Sequence, residues 1–231
     1  MKKQDLYFIL GMAALFAPFF LIDSVYEFYN NFNREHSLIM SFVKFGILAT
    51  LGEMLGLRIR TGDYNQPGFG ILPRAIVWGL LGITIKIAFV VFATGTPILL
   101  DKLFVDGAVD AFRSNEMSGL RILAAFSISF LMNLIYAPVM MTLHKITDTH
   151  ILDNGGTVKG LFKSIPMGQI FSRINWDVQY NFVFKKTIPF FWIPMHTITF
   201  LLPEDMRVLF AALLGIALGV ILAVAAQMGK K

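Results

Sequence analysis

The feature that most limits how this chain can fold is a run of nineteen residues, 208–226, without a single charged side chain. A helix of about 20 apolar residues, rising 1.5 Å per residue, crosses a hydrocarbon layer roughly 30 Å thick. Five further apolar runs precede it, at residues 6–22, 38–57, 75–100, 122–143 and 188–202. The sequence therefore predicts an all-α, polytopic membrane bundle of about six transmembrane helices.

Composition supports a single membrane domain over residues 1–231. The chain is 56% hydrophobic and 15% charged, which is too apolar for a soluble domain with a hydrated surface. It contains no cysteine, so disulfides, thiolate metal ligands and a cysteine nucleophile are excluded. Residues 6–22 follow two lysines and lack a small-x-small cleavage site, so we expect an additional uncleaved helix rather than a signal peptide.

The distribution of basic residues predicts the orientation of the bundle. Thirteen Lys and Arg residues fall on the N-terminal side of the predicted alternation, five fall on the opposite side, and two lie within predicted spans. Cytoplasmic segments carry the excess of positive charge in membrane proteins. We therefore expect both termini in the cytoplasm, with Gly62 and Lys230 on that side and Asn31 and Asn115 on the other.

A basic connector at residues 157–186 mixes apolar and cationic side chains. Two interpretations fit this pattern: an amphipathic helix on the inner leaflet, bound to anionic lipid headgroups, or a helix packed across the end of the bundle. The shorter connector at residues 101–119 is compatible with a short surface helix. The basic residues of the longer connector are Lys159, Lys163, Arg173, Lys185 and Lys186.

Ionisable and polar residues inside the apolar runs are candidates for function. Lys86 lies near the middle of the third run, where an ammonium requires water or a carboxylate. Glu53 is the candidate partner, although the axial offset of roughly 10 Å leaves their pairing open. With Asn133 and His196, these residues predict either a polar cavity or hydrogen bonds that join helices.

The remaining candidates do not predict an enzyme. His144, Asp148 and His150 supply too few ligands on one helix face for a metal site. No nucleophile elbow, zinc-protease motif or phosphate-binding glycine loop occurs. The basic residues lie between membrane runs, which does not favour nucleic-acid binding. We expect no catalytic residue, cofactor or metal.

Two features of the C-terminal region predict how its helices pack. Pro189 and Pro194 predict a kinked fifth helix, because each removes a backbone hydrogen bond. In the last run, small residues recur at every fourth position, which allows two helix backbones to approach closely and is compatible with a homo-oligomer. The stripe comprises Ala211, Gly215, Gly219 and Ala223.

The same region resembles a known family. A Trp, a Phe, a Pro and an Arg precede the last helix at Trp192, Phe200, Pro203 and Arg207, with Gly52 and Pro138 upstream. These positions resemble the motifs of the Mpv-seventeen/peroxisomal twenty-two-kilodalton membrane protein family over residues 41–226. Thr199 stands where that family has Asn, and its late Trp-Asn and Ser fall on Leu218, Gly219 and Ala223, so the resemblance is to a divergent relative.

The resemblance implies a low-selectivity channel or permeability factor for small solutes or ions. The alternative hypothesis is a non-conducting membrane scaffold that packs through the small-residue stripe and binds anionic lipid. The N-terminal sequence lacks the Arg- and Ser-rich character of a mitochondrial presequence, which favours a bacterial inner membrane.

Overall fold

The regular structure of the chain is helical. The computed structural model describes residues 2–103, 105–114 and 116–228, with side chains as far as residue 221, and within these ranges no strand occurs. The helices are α1 (Lys3–Leu21), α2 (Asp23–Glu35), α3 (Ser37–Thr61), α4 (Ile71–Lys102), α5 (Ala108–Arg113), α6 (Gly119–Ile135), α7 (Ala137–Asp153), α8 (Val158–Leu161), α9 (Met167–Arg173), α10 (Trp176–Val178), a π-helix (Gln179–Trp192), α11 (Ile193–Leu201) and α12 (Glu204–Met228).

Three helices, α1, α3 and α4, are long and apolar enough to cross a membrane, and the pair α6 and α7 forms a fourth candidate. The pair is bent by 44° at Tyr136, two residues before Pro138 in the first turn of α7. Proline lacks the N–H of a helical hydrogen bond, which explains the bend at this position. The all-α membrane architecture thus holds with three to four candidate spans.

The helical segment that contains the predicted fifth apolar run, residues 188–202, begins earlier in the chain than that run. Helical structure starts with α10 at Trp176, runs without a break into the π-helix, and continues through both prolines. Pro189 lies inside the π-helix, and Pro194 lies in the first turn of α11. The helix type changes from π to α between Trp192 and Ile193, within the segment where the two prolines predict a kink. Lys185 and Lys186, at the end of the predicted connector, therefore lie within the π-helix.

The connector at residues 157–186 is not one amphipathic helix. It is divided among α8, α9, α10 and the start of the π-helix. Ile170 and Ile174 pack against Ile146 of α7, whereas Phe162 and Phe171 remain exposed. The connector thus packs against the bundle on one side and leaves apolar side chains uncovered on the other. Its basic residues Lys159, Lys163, Arg173, Lys185 and Lys186 are all exposed.

Glycine allows α3 and α4 to approach at backbone distance. A Cβ placed on Gly46 would lie 2.9 Å from the Ala75 carbonyl oxygen, and one on Gly82 would lie 2.6 Å from the Ser41 carbonyl oxygen. No larger residue fits these positions without moving a helix. The core extends from this contact to α6, α11 and α12, and includes Phe45, Ala125, Ile128, Phe200 and Ala212.

The outside of the bundle is apolar. Leu80, Ile87 and Val91 on α4 and Phe130 and Leu134 on α6 are exposed. Exposed apolar side chains at this density are unusual for a soluble protein and match a surface that faces lipid.

Contacts between helix termini define the two ends of the bundle. At one end, here called the Gly62 end, Lys2 Nζ donates to the Gly62 carbonyl at 3.2 Å. The Arg58 guanidinium also binds Asp5 there, at 2.7 Å. These contacts hold the start of α1 beside the end of α3.

The opposite end of the bundle, here called the Glu204 end, is where the end of α2 contacts the start of α12 and the start of α6 contacts the end of α11. Asn33 Nδ2 donates to the Asp205 carbonyl at 3.3 Å, and Arg121 Nη2 donates to the Leu201 carbonyl at 3.2 Å. Successive long helical segments therefore run alternately between the Gly62 end and the Glu204 end.

The small-residue stripe of α12 faces α3 of the same molecule. The closest approach is made by Gly52, where an added Cβ would lie 2.9 Å from Ile216 Cα. Gly219 faces the Gly52 carbonyl at 3.4 Å from its own added Cβ, Ala211 is buried, and Gly215 has open space. The expectation that Gly215 packs tightly was wrong, and the side chain of Ala223 lies outside the described residues.

We expect Gly52→Leu to destabilise the protein by about 3 kcal/mol, the upper end of the range for overpacking a core. The new side chain would meet the α12 backbone, which cannot rotate away as a side chain can. Gly215→Leu is the matched control, since it adds the same side chain to α12 where space exists. Thermal unfolding in detergent measures both, and equal losses would contradict the packing described.

Candidate functional site

Two cavities enter the bundle from opposite ends. The first encloses about 590 Å³ and extends from exposed Arg60 and Gln66 at the Gly62 end to His196 deep in the bundle. The second encloses about 390 Å³ and is bordered by exposed Arg113 and Glu204 at the Glu204 end. Together they reach most of the length of the bundle.

Glu53 is the centre of a polar cluster in the first cavity. Its carboxylate forms an ion pair with Arg74 and accepts a 2.8 Å hydrogen bond from Trp78 Nε1. His144 Nε2 lies 3.0 Å from the same oxygen that Trp78 binds. Because an ionised carboxylate only accepts hydrogen bonds, Nε2 must carry the proton. Three donors from two helices thus hold one carboxylate.

Arg74 links this cluster to a second acid. Its guanidinium also forms an ion pair with Asp148 of α7, and its Nε donates to the Phe69 carbonyl at 2.7 Å. The Arg74 side chain is 7% exposed, so these partners replace most of its water. The arrangement places two carboxylates against one guanidinium and one imidazole.

The inner part of the first cavity is lined by polar groups among aromatic rings. Asn133 Nδ2 donates to the Ser129 carbonyl at 2.8 Å, and His196 Nδ1 lies 3.3 Å from Thr199 Oγ1. Trp192 stacks on His196, and its buried Nε1–H has no acceptor among the described residues. A buried donor of this kind requires a water or a ligand. This inner part of the cavity can therefore hold a water or a polar group beside Trp192.

Phe89 is the boundary between the two cavities. Its side chain lines both of them and is 4% exposed. The Phe89 ring lies 5.1 Å from the Phe200 ring and 5.6 Å from the His196 ring, centre to centre. These contacts fix an aromatic layer across the middle of the bundle. The layer therefore lies where the two cavities meet.

The structure separates Lys86 from Glu53. Lys86 lines the second cavity, where its Nζ lies 3.2 Å from the Glu204 carboxylate. Glu53, Asn133 and His196 all line the first cavity. Lys86 and Glu53 therefore do not form an ion pair. Glu53 pairs with Arg74 and Lys86 with Glu204.

Four residues that contribute to the site were not among the sequence candidates for it: Arg74, Trp78, Asp148 and Phe89. Arg74 and Asp148 were counted as cytoplasmic charge and as a weak metal ligand, respectively, although both lie at the same depth as Glu53. Among the described residues no group of His, Asp and Glu is arranged to hold a metal ion. Nothing in the sequence distinguishes Phe89 from the other phenylalanines of the chain, which has 23 of them.

The family-like positions are distributed between the two cavities. Gly52 and Trp192 line the first cavity, and Pro203 and Arg207 line the second. Arg207 Nε donates to the Leu202 carbonyl at 3.0 Å, and its guanidinium lies 5.8 Å from the Phe200 ring. Pro138 lies at the bend between α6 and α7.

Comparison with known proteins identifies no relative of this chain. No family model, curated protein or solved structure matches the chain. The resemblance of residues 41–226 to the membrane protein family named above therefore stays a hypothesis based on sequence positions.

Proposed function

We propose that the chain is a channel-like membrane protein that conducts small solutes or ions with low selectivity, and that the structure is its closed state. The observation that carries this proposal is the aromatic layer at Phe89, since the Phe89 side chain lines both cavities. The unsatisfied Trp192 N–H and the Glu53 cluster make the first cavity suitable for water and ions. The family resemblance supports the same function, and no catalytic step is assigned to the chain.

The proposal includes the topology. Six helical segments run alternately between the two ends, and we place the Gly62 end in the cytoplasm of a bacterial inner membrane. The exposed basic residues of the connector would then face anionic lipid headgroups, where each contributes on the order of 1 kcal/mol to membrane association. Neither nucleic acid nor a bound cofactor enters this function.

The alternative function is a non-conducting scaffold. Its support is the exposed apolar and basic surface of residues 157–186, which can contact lipid or another protein. The small-residue stripe of α12 does not support the scaffold hypothesis, because that stripe packs on α3 of the same molecule. A homo-oligomer would need a different surface.

Conductance of the purified protein in planar bilayers, with solutes of graded size, separates the two functions. The channel proposal predicts rare openings of the wild-type protein, since the closed conformation is favoured, with a size limit set by the aromatic layer. A scaffold predicts no openings under any condition. Absence of openings both in the wild type and in a variant without the Phe89 ring would refute the channel.

Labelling of single cysteines tests the topology in this cysteine-free chain. We expect an impermeant thiol reagent added to intact cells to modify Asn31→Cys and to leave Gly62→Cys unmodified until the cells are opened. The reason is the excess of basic residues at the Gly62 end. The reverse pattern would invert the orientation. The corresponding positions Asn115 and Lys230 lie outside the described residues.

A further inference from the structure

The second cavity has an unequal distribution of charge. Its described lining contains one carboxylate, that of Glu204, and four cationic side chains: Lys86, Arg113, Arg121 and Arg207. The volume of about 390 Å³ is in the range of small-molecule sites. Cationic side chains of like charge repel one another, so a cavity lined in this way favours an anion.

Arg121 has a buried donor without a partner. The residue is 9% exposed, its Nη2 donates to the Leu201 carbonyl at 3.2 Å, and its Nη1 lies 3.5 Å from the Glu116 carbonyl. Its buried Nε has no acceptor among the described residues. Leaving such a donor unpaired costs free energy, which an oxyanion in the cavity would recover.

The other cations are available for the same ligand. Arg207 forms no ion pair among the described residues and uses its Nε for the Leu202 carbonyl, while its guanidinium lies over the Phe112 ring. Lys86 contacts Glu204, but that carboxylate is 72% exposed, so the pair is weak and easily exchanged. A ligand carboxylate or phosphate can replace Glu204 at the Lys86 ammonium.

We propose that the second cavity binds a small soluble oxyanion with at least two negative charges, such as a phosphate or a dicarboxylate. Guanidinium groups bind the paired oxygens of both with two parallel hydrogen bonds. This inference adds a substrate class to the proposed channel, and it rests on that function only for its physiological meaning. Binding itself does not require conduction.

Calorimetric titration of the full chain in phosphatidylcholine nanodiscs, with inorganic phosphate and with succinate at constant ionic strength, tests the proposal. We expect saturable binding that weakens about ten- to hundredfold in Arg121→Gln and in Arg207→Gln, as expected for loss of a charged hydrogen bond. Glu204→Gln should strengthen binding, because it removes the competing carboxylate. Arg34→Gln, an exposed change at the same end but outside the cavity, should leave binding unchanged.

Several results would overturn the proposal. These are absence of binding in the wild type, equal affinity in all four variants, and loss of phosphate binding when phosphatidylglycerol is added, which would assign the cavity to a lipid headgroup. If Arg121→Gln does not fold, Arg207→Gln and the exposed Glu204→Gln decide the result. Binding without conductance would refute only the channel, and conductance without binding only the anion site.

Discussion

An Arg74→Met variant is expected to lose about 3–5 kcal/mol of unfolding free energy, the usual result of breaking a buried ion pair by removing one partner. Arg74 is the guanidinium that Glu53 and Asp148 share, so its loss leaves two carboxylates close together inside the bundle. Removing all three charges should reverse most of the loss, because a neutral cluster needs no counter-ion. We therefore expect the combination of Arg74→Met, Glu53→Gln and Asp148→Asn to be more stable than Arg74→Met alone.

Equilibrium unfolding in mixed detergent micelles measures these differences. Arg60→Met is the matched control, since Arg60 lines the mouth of the same cavity but is exposed. Its replacement should cost less than about 1 kcal/mol, as for other exposed charges. If Arg74→Met and Arg60→Met lose equal free energy, the Glu53 cluster does not stabilise the fold as described.

Phe89→Ala is expected to increase conductance on the order of tenfold, which corresponds to a shift of about 1.4 kcal/mol between closed and open states. The physical reason is that the Phe89 ring separates two cavities that otherwise meet. The change also removes a large buried side chain, so we expect a stability loss of about 3–5 kcal/mol. Solute flux into proteoliposomes and single-channel recording measure the gain.

Phe45→Ala separates conduction from stability. Phe45 is also 4% exposed and belongs to the same core, but it lines only the first cavity. The two variants should lose similar stability, whereas Phe89→Ala alone should conduct more. Leakage of equal size in both would indicate loosened packing rather than an opened route.

The helices were predictable because apolar runs of this length have few alternatives. Residues 38–57 and 75–100 correspond to α3 and α4, which extend one to four residues beyond the apolar runs at each end. Residues 122–143 were predicted as one helix, and the structure divides that region at the bend before Pro138. The start of the fifth segment was missed because residues 179–187 carry polar and basic side chains that hydropathy counts as a loop.

The ion-pair partners of Glu53 and Lys86 were less predictable than the helices. Arg74 was counted only among the basic residues that predict the topology, although its guanidinium pairs with Glu53. From the sequence, Lys86 was the candidate partner of Glu53, whereas the structure pairs Glu53 with Arg74. The contact between Lys86 and Glu204 was not visible from depth alone, because a long lysine side chain can reach a carboxylate beyond the apolar run.

Packing against α12 shows what spacing alone leaves open. The four-residue repeat indicated a face of α12 but not which helix covers it. The close contact instead depends on Gly52 of α3, which was noted only for its family resemblance. Phe89 was not predictable, because its role follows from two cavities that form only when α4, α11 and α12 are assembled.

Sided accessibility of the two cavities tests the central claim, that cavities enter the bundle from opposite ends and are separated at Phe89. Ala49 lines the first cavity and Ala93 lines the second, and cysteine is a small change at either position. We predict that a small impermeant thiol reagent modifies Ala49→Cys only from the cytoplasmic side and Ala93→Cys only from the opposite side. Modification of both positions from the same side would contradict the account.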